Sequence, residues 1–195
     1  MIRPVALTAG DPSGVGLELT GQAWQQLKND LPFFVVADYA HVESATDGPL
    51  CKITDPSEAA ATCQDALPVL HVPFAAMPTV GVEQPQNARD VIRSIEMAVD
   101  FVTSGQAAAV CTNPINKKVL KDGAAFPYPG HTEFLAHLGG VKTSVMMLAA
   151  PELRAVPVTI HIALSEVPKT LTDDLIADTL AITHQALLRD FGLSD

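Results

Sequence analysis

The sequence has 195 residues, 48% of them hydrophobic and 17% charged, with a formal net charge of −10. Such a chain suits one domain, or one and part of a second, around a real core, and it excludes wholesale disorder. The acidic balance excludes a non-specific nucleic-acid binder, which needs a basic patch for phosphates, yet leaves room for a local cationic pocket around Lys117.

Residues 3–8 (RPVALT) read as a first strand leading into the glycine-rich turn GDPSGVG at 10–16. Residues 17–28 follow helical spacing, with Leu17, Thr20, Trp24 and Leu27 on one face. FFVVA at 33–37 is a continuous apolar run suited to a strand buried on both faces. From 38 to 86 the pattern gives loops and short elements, with one strand at 67–72. Residues 87–104 form the clearest helix, capped by Asn87 and carrying Asp90 in its first turn. Its stripe is Ala88, Val91, Ile92, Ile95, Val99 and Val102, and Gly105 ends it in a left-handed turn.

Buried strands are expected at 107–112 and 143–149. Between 155 and 163 the side chains of Val156, Val158, Ile160 and Ile162 alternate with Thr159 and His161, the pattern of a further strand. A closing helix spans 172–190, with Leu175, Ile176, Thr179, Leu180, Thr183 and Leu187 on one face. Strands alternating with helices imply an α/β layered fold around a mostly parallel sheet. Cys51, Cys63 and Cys111 make no CxxC pair and are odd in number, so neither a disulfide scaffold nor a zinc finger is indicated. Residues 1–10 lack the core of a signal peptide, and no apolar run approaches the roughly 18 residues of a membrane span. The chain reads as soluble and cytoplasmic, without a membrane or nucleic-acid partner.

Four places could carry chemistry. GDPSGVG fits neither GxGxxG nor GxxxxGK[ST], so a tight strand-to-helix turn is favoured over an anion-binding loop, although the amides of the helix it opens could still meet an anion. Asn113 to Lys118 (NPINKK) lies just past a strand carboxyl end, where ligands collect in open α/β sheets. Lys117 there is either a point charge for phosphate or carboxylate or a solvated lysine on a short helix. In YPGHTE at 128–133, Pro129 and Gly130 fix a turn, Thr132 can cap the helix running to Leu138, and His131 at that helix start can donate to an anion or orient a reacting hydroxyl. The alternative is a surface turn with a capping threonine. His161 on the more polar side of its strand reads on its own as a satisfied core histidine. His41, His71, His137 and His184 lack any comparable setting and receive no role, and Cys111 reads as a small buried hydrophobe.

LTAGDPSGVGLEL, VCTNPINKKVL, YPGHTEFLAHLGG and VMMLAAPELRAVPVTIHIAL, in that order, resemble the 4-hydroxythreonine-4-phosphate dehydrogenase family of vitamin B6 biosynthesis. The resemblance runs from Leu7 to Gly192. It implies a three-layer α/β/α, two-lobed architecture like that of isocitrate and isopropylmalate dehydrogenases, with residues 1–125 in a first lobe and 126–195 beginning a second. It implies oxidation of 4-phosphooxy-L-threonine with decarboxylation to 3-amino-2-oxopropyl phosphate, using NAD or NADP and a divalent metal (Zn, Mg or Co), by a homodimer acting on a small phosphorylated substrate. By the same resemblance His131 and Thr132 bind substrate, His161 is one of three metal-binding histidines, and Lys117 matches a motif lysine for which phosphate or carboxylate contact is favoured. The family's nucleotide site does not use the usual fingerprint, in agreement with GDPSGVG. The other metal histidines and most cofactor contacts of the family have no counterpart up to Asp195, so the chain is expected to be an N-terminal portion whose own activity is in doubt. Two other readings share these motifs: a sister dehydrogenase of a phosphorylated sugar acid such as phosphothreonate, and a truncated, non-catalytic paralogue that binds a small ligand.

Overall fold

The computed structural model describes residues 3–194. They fall into two compact units, Met1–Gly140 and Val141–Asp195.

The first unit runs β1 (Val5–Thr8), α1 (Gly16–Leu27), β2 (Phe33–Ala37), α2 (Tyr39–Ala45), β3 (Leu50–Ile53), α3 (Ala59–Thr62), β4 (Leu67–His71), α4 (Ala88–Thr103), β5 (Ala109–Cys111), α5 (Lys117–Ala124) and α6 (His131–Leu138). The strands form one parallel sheet in the order β3-β4-β2-β1-β5. Every carboxyl end therefore opens on the same edge. Because successive side chains of a strand point to opposite faces, the all-apolar β2 feeds both at once. Phe33, Val35 and Ala37 pack with Leu17, Trp24 and Val42, while Phe34 and Val36 pack with Ala98 and Ala107. Helices thus cover the sheet on both sides, the α/β layering expected of alternating elements.

A third cluster joins α4, α5 and α6 through Val91, Ile95, Val119, Leu120, Phe126 and Phe134. Phe126, Tyr128 and Phe134 meet there at ring-centroid distances of 5.0 to 5.3 Å. This aromatic corner moves the boundary between units to Gly140, beyond the 125/126 division read from the sequence: residues 126–138 bury their rings on α4 and α5 and belong to the first unit.

Other expectations also change. Asn87 does not cap α4; its side chain holds both the amide and the carbonyl of Ala76 at 2.9 Å. The segment 38–86, read as mostly loop, supplies α2, β3 and α3, elements too short to show a period. Strand 107–112 shrinks to β5, an edge strand among the described residues with Ala109 and Cys111 exposed, so Cys111 is not a buried hydrophobe.

In the second unit, the strands expected at 143–149 and 155–163 reduce to a two-residue antiparallel ladder of β6 (Leu148–Ala149) and β7 (Arg154–Ala155). A strand exists only where its backbone groups find a partner. Residues 156–163 find no partner strand among the described residues, and Pro157 has no N–H to offer. His161 therefore sits in no strand; it is exposed and left-handed, with φ 57°. After α7 (Val167–Thr170) comes α8 (Asp173–Phe191), whose start is capped by Thr172 accepting from the Leu175 amide. Of its expected face Thr179 is buried, Leu175, Ile176, Thr183 and Leu187 are half-buried, and Leu180 is exposed. No helix of the described residues is long and apolar enough to cross a membrane.

Candidate functional site

The carboxyl edge of the sheet is built by interlocking two loops that lie far apart in sequence. Asn113, just after β5, is buried. Its amide donates to Thr8 Oγ1, and its Nδ2 donates to the Thr8 carbonyl at 3.0 Å and to Thr20 Oγ1 at 2.8 Å. The Asp11 amide then donates to the Pro114 carbonyl. Gly10 makes this approach possible: its φ is 70°, and a β-carbon there would lie 2.6 Å from Asn113 Cβ and 2.7 Å from the Pro114 oxygen. GDPSGVG is accordingly a packing turn. Asp11 Oδ1 already accepts from the Ser13 amide, so a carboxylate of the turn itself stands where an anion would have to sit.

The same interlock fixes Lys117. Asn116 Oδ1 accepts from the amides of Lys118 and Val119, so α5 begins with Lys117 as its first residue. Lys118 is engaged by Glu83 and Asp122. Lys117 has no ion-pair partner among the described residues, and its stem runs across Gly130. A β-carbon at Gly130 would lie 3.5 Å from Lys117 Cε, 3.6 Å from Nζ and 3.7 Å from Glu133 Oε2. The ammonium therefore stands at the start of α6.

That start is open. Gly130 is the cap residue and contributes no side-chain hydrogen bond. Thr132, expected to cap, is already the second helical residue and exposed, past the amides it would have to serve. His131, the first helical residue, is half-buried. Its Nε2 is shielded from solvent and has no hydrogen-bond partner. Burial, seconded by the positive charge of Lys117, pushes the His131 imidazole below the ordinary histidine value. A neutral imidazole, a free ammonium and uncapped helix amides are the groups that receive an anionic oxygen and a hydroxyl side by side.

The structure thus brings Lys117, His131 and Thr132 to one corner of the first unit. It places His161 in the second unit, where it stands by itself. Among the described residues no three His, Cys, Asp or Glu side chains come together in a way that could hold a metal ion. Catalytic metal sites take about three protein ligands. The described residues by themselves therefore do not complete a metal site. Asn113 and Asn116 escaped the sequence reading as positioning residues. For Asn116 the signal was available, since an asparagine just ahead of a helical run is a helix-start signature; Asn113, which bonds to the distant Thr8 and Thr20, offered none.

Three comparisons bear on this corner. The model of the family described as "Pyridoxal phosphate biosynthetic protein PdxA" matches residues 29–195. A curated 4-hydroxythreonine-4-phosphate dehydrogenase from Ruegeria sp. is 50% identical over 190 residues, and one from Caulobacter vibrioides is 43% identical over 201. Those matches cover 97% and 99% of this chain but 58% and 60% of the relatives, so the chain spans rather more than half their length. The crystal structure of a 4-hydroxythreonine-4-phosphate dehydrogenase from Burkholderia phymatum superposes with a TM-score of 0.87 at 29% identity, covering 97% of this chain and 59% of that one.

Proposed function

We propose, from the premise that this chain belongs to the PdxA family of pyridoxal phosphate biosynthetic proteins, that it supplies the substrate-anchoring corner of a 4-hydroxythreonine-4-phosphate dehydrogenase. The reaction proposed for the whole protein is oxidation of the 3-hydroxyl of 4-phosphooxy-L-threonine, followed by loss of CO2 to give 3-amino-2-oxopropyl phosphate. We place it in the cytoplasm, as a homodimer dependent on NAD or NADP and on a divalent metal (zinc, magnesium or cobalt), with His161 contributing one metal ligand. A bound nicotinamide would supply the hydride acceptor; the protein's part is position and electrostatics.

What this chain's residues do is bind and orient. Lys117 offers a compact charge to the phosphate or carboxylate, and the open amides of α6 add their dipole. His131, kept neutral, hydrogen-bonds a substrate oxygen without bringing a second charge beside Lys117. Thr132 adds a hydroxyl from the same helix turn. The observation that carries the reading is the single corner in which an unpaired Lys117 crosses Gly130 next to the orphaned Nε2 of His131.

Calorimetric titration of the chain with 4-phosphooxy-L-threonine tests it. Loss of a charge-assisted contact is worth about 1.5–3 kcal/mol, so Lys117→Ala should weaken binding by at least about tenfold. Inorganic phosphate should compete. Equal affinity of Lys117→Ala and the unsubstituted chain would sink the assignment of Lys117. Binding without turnover in the presence of NAD or NADP and metal would favour the ligand-binding reading of the chain over the dehydrogenase.

A further inference from the structure

Outside that corner, one buried titratable group is left without a role. His41 on α2 is 2% exposed and its Nδ1 has no hydrogen-bond partner. Its ring meets Phe74 edge-on at 5.1 Å, and the Ala76 backbone offers the imidazole a hydrogen bond. Phe74 and Ala76 belong to a strap, residues 72–77, that crosses from β4 towards α4 over the carboxyl edge of the sheet.

Side chains from both flanking helices fasten this strap. Asp38, the cap of α2, accepts from the Phe74 amide at 2.9 Å, and Asp90 on α4 accepts from the Ala75 amide at 2.9 Å. Asn87 takes the Ala76 amide and carbonyl, and Arg93 donates to the Pro73 carbonyl while pairing with Asp90 at 3.0 Å. The charged groups that act on His41 are Asp38 from α2 and Asp90, with its partner Arg93, from α4, while His71 at the end of β4 acts on Asp38.

We propose that His41 is an acid-sensitive latch: neutral, it seats the strap, and a proton gained at Nδ1 releases it. Closed, Nδ1 faces no acceptor, so a new N–H there is a buried unsatisfied donor. The carboxylates close enough to answer it are Asp38 and Asp90, and each already holds a strap amide. A charged His41 takes one of them away from Phe74 or Ala75, and the strap opens at that point. The direction of titration agrees. Burial, against the pull of Asp38, the Ala76 backbone and Asp90, holds the imidazole below its ordinary value. A group whose folded value is depressed in this way binds more protons once opened. Its contribution to closure is complete above the ordinary histidine range and is lost as pH falls towards the folded value. Asp38 stays ionised through that window. Burial alone would raise it, but the amides of Phe74 and Ala40, with His41 and His71, hold it below the usual carboxylate range.

Amide hydrogen exchange of Phe74, Ala75 and Ala76, divided by the intrinsic chemical rate at each pH, reads the latch. With an open-state histidine near 6.5, lowering the pH from roughly 7.5 to roughly 5.5 should make strap opening more frequent, by about tenfold at most. The response should vanish in His41→Phe, which keeps the edge-on ring, and persist in His71→Gln. A pH response that survives in His41→Phe, that disappears in His71→Gln, or that is absent from the unsubstituted chain overturns the proposal. Should His41→Phe fail to fold, the imidazole resonances of the unsubstituted chain decide. Titration of His41 in step with the loss of Phe74–Ala76 protection supports the latch; a His41 that titrates with the strap still protected refutes it.

Discussion

A β-carbon at Gly123 would lie 2.0 Å from the Pro85 carbonyl oxygen and 2.8 Å from Ala88 Cβ. This missing side chain sets how closely α5 approaches the start of α4, and hence where α5 points its first residue, Lys117. Gly123→Ala gains about 1 kcal/mol of helix propensity at most, but the clash is with backbone and cannot be relieved by a rotamer change. We expect a net loss of about 2–3 kcal/mol, seen as a lower urea midpoint with an unchanged slope; a midpoint equal to or above that of the unsubstituted chain would contradict this close approach. Gly130 behaves oppositely. Its φ of −175° is ordinary extended backbone, and a methyl there would make only ordinary contacts with the Lys117 stem and Glu133 Oε2. None of these distances was visible in the order of residues. The identities of Lys117, His131 and Thr132 were legible as a motif, but that Thr132 caps nothing, and that Gly130 carries the lysine, required the fold.

Among elements, α5 is the one on which the site depends. Replacing Asn116 with Ala removes the acceptor of the Lys118 and Val119 amides and should cost about 1 kcal/mol. It should also weaken 4-phosphooxy-L-threonine binding, because the turn that frays is the one bearing Lys117; Asn116→Asp, which keeps the acceptor, should restore stability. Unchanged binding in Asn116→Ala would mean that Lys117 does not need the cap. Elements with their own period or composition were read well: β2 from its unbroken apolar run, α4 from its stripe, α8 from its helical spacing. The failures lie where structure depends on a partner. Residues 155–163 alternate as a strand would, yet alternation describes one face and says nothing of which backbone will pair with it. β3 and α2 were missed for the converse reason: seven residues or fewer give too little pattern, and neighbours decide.

For the molecule as a whole, the three apolar clusters all belong to the first unit. In the second, Thr179 is the sole buried side chain among the described residues, and large apolar side chains from Val141 to Leu193 remain exposed. Protection from hydrogen exchange should therefore concentrate in β1, β2 and β4, and limited proteolysis should cut first within residues 141–172. Early cleavage within residues 33–71 instead would contradict this division of stability. The distribution of aromatic rings has a practical consequence. The chain has one tryptophan, Trp24 on the buried face of α1, whose indole N–H donates to the Cys63 carbonyl at 2.7 Å. Both tyrosines, Tyr39 and Tyr128, also lie in the first unit, and beyond Gly140 the only aromatic ring apart from histidine is Phe191. Tryptophan and tyrosine emission and dichroism will thus follow the first unit alone. A single sharp transition seen by these optical signals would be silent about the other fifty-odd residues, whose melting must be followed through the helical signal of α8 or by labelling there.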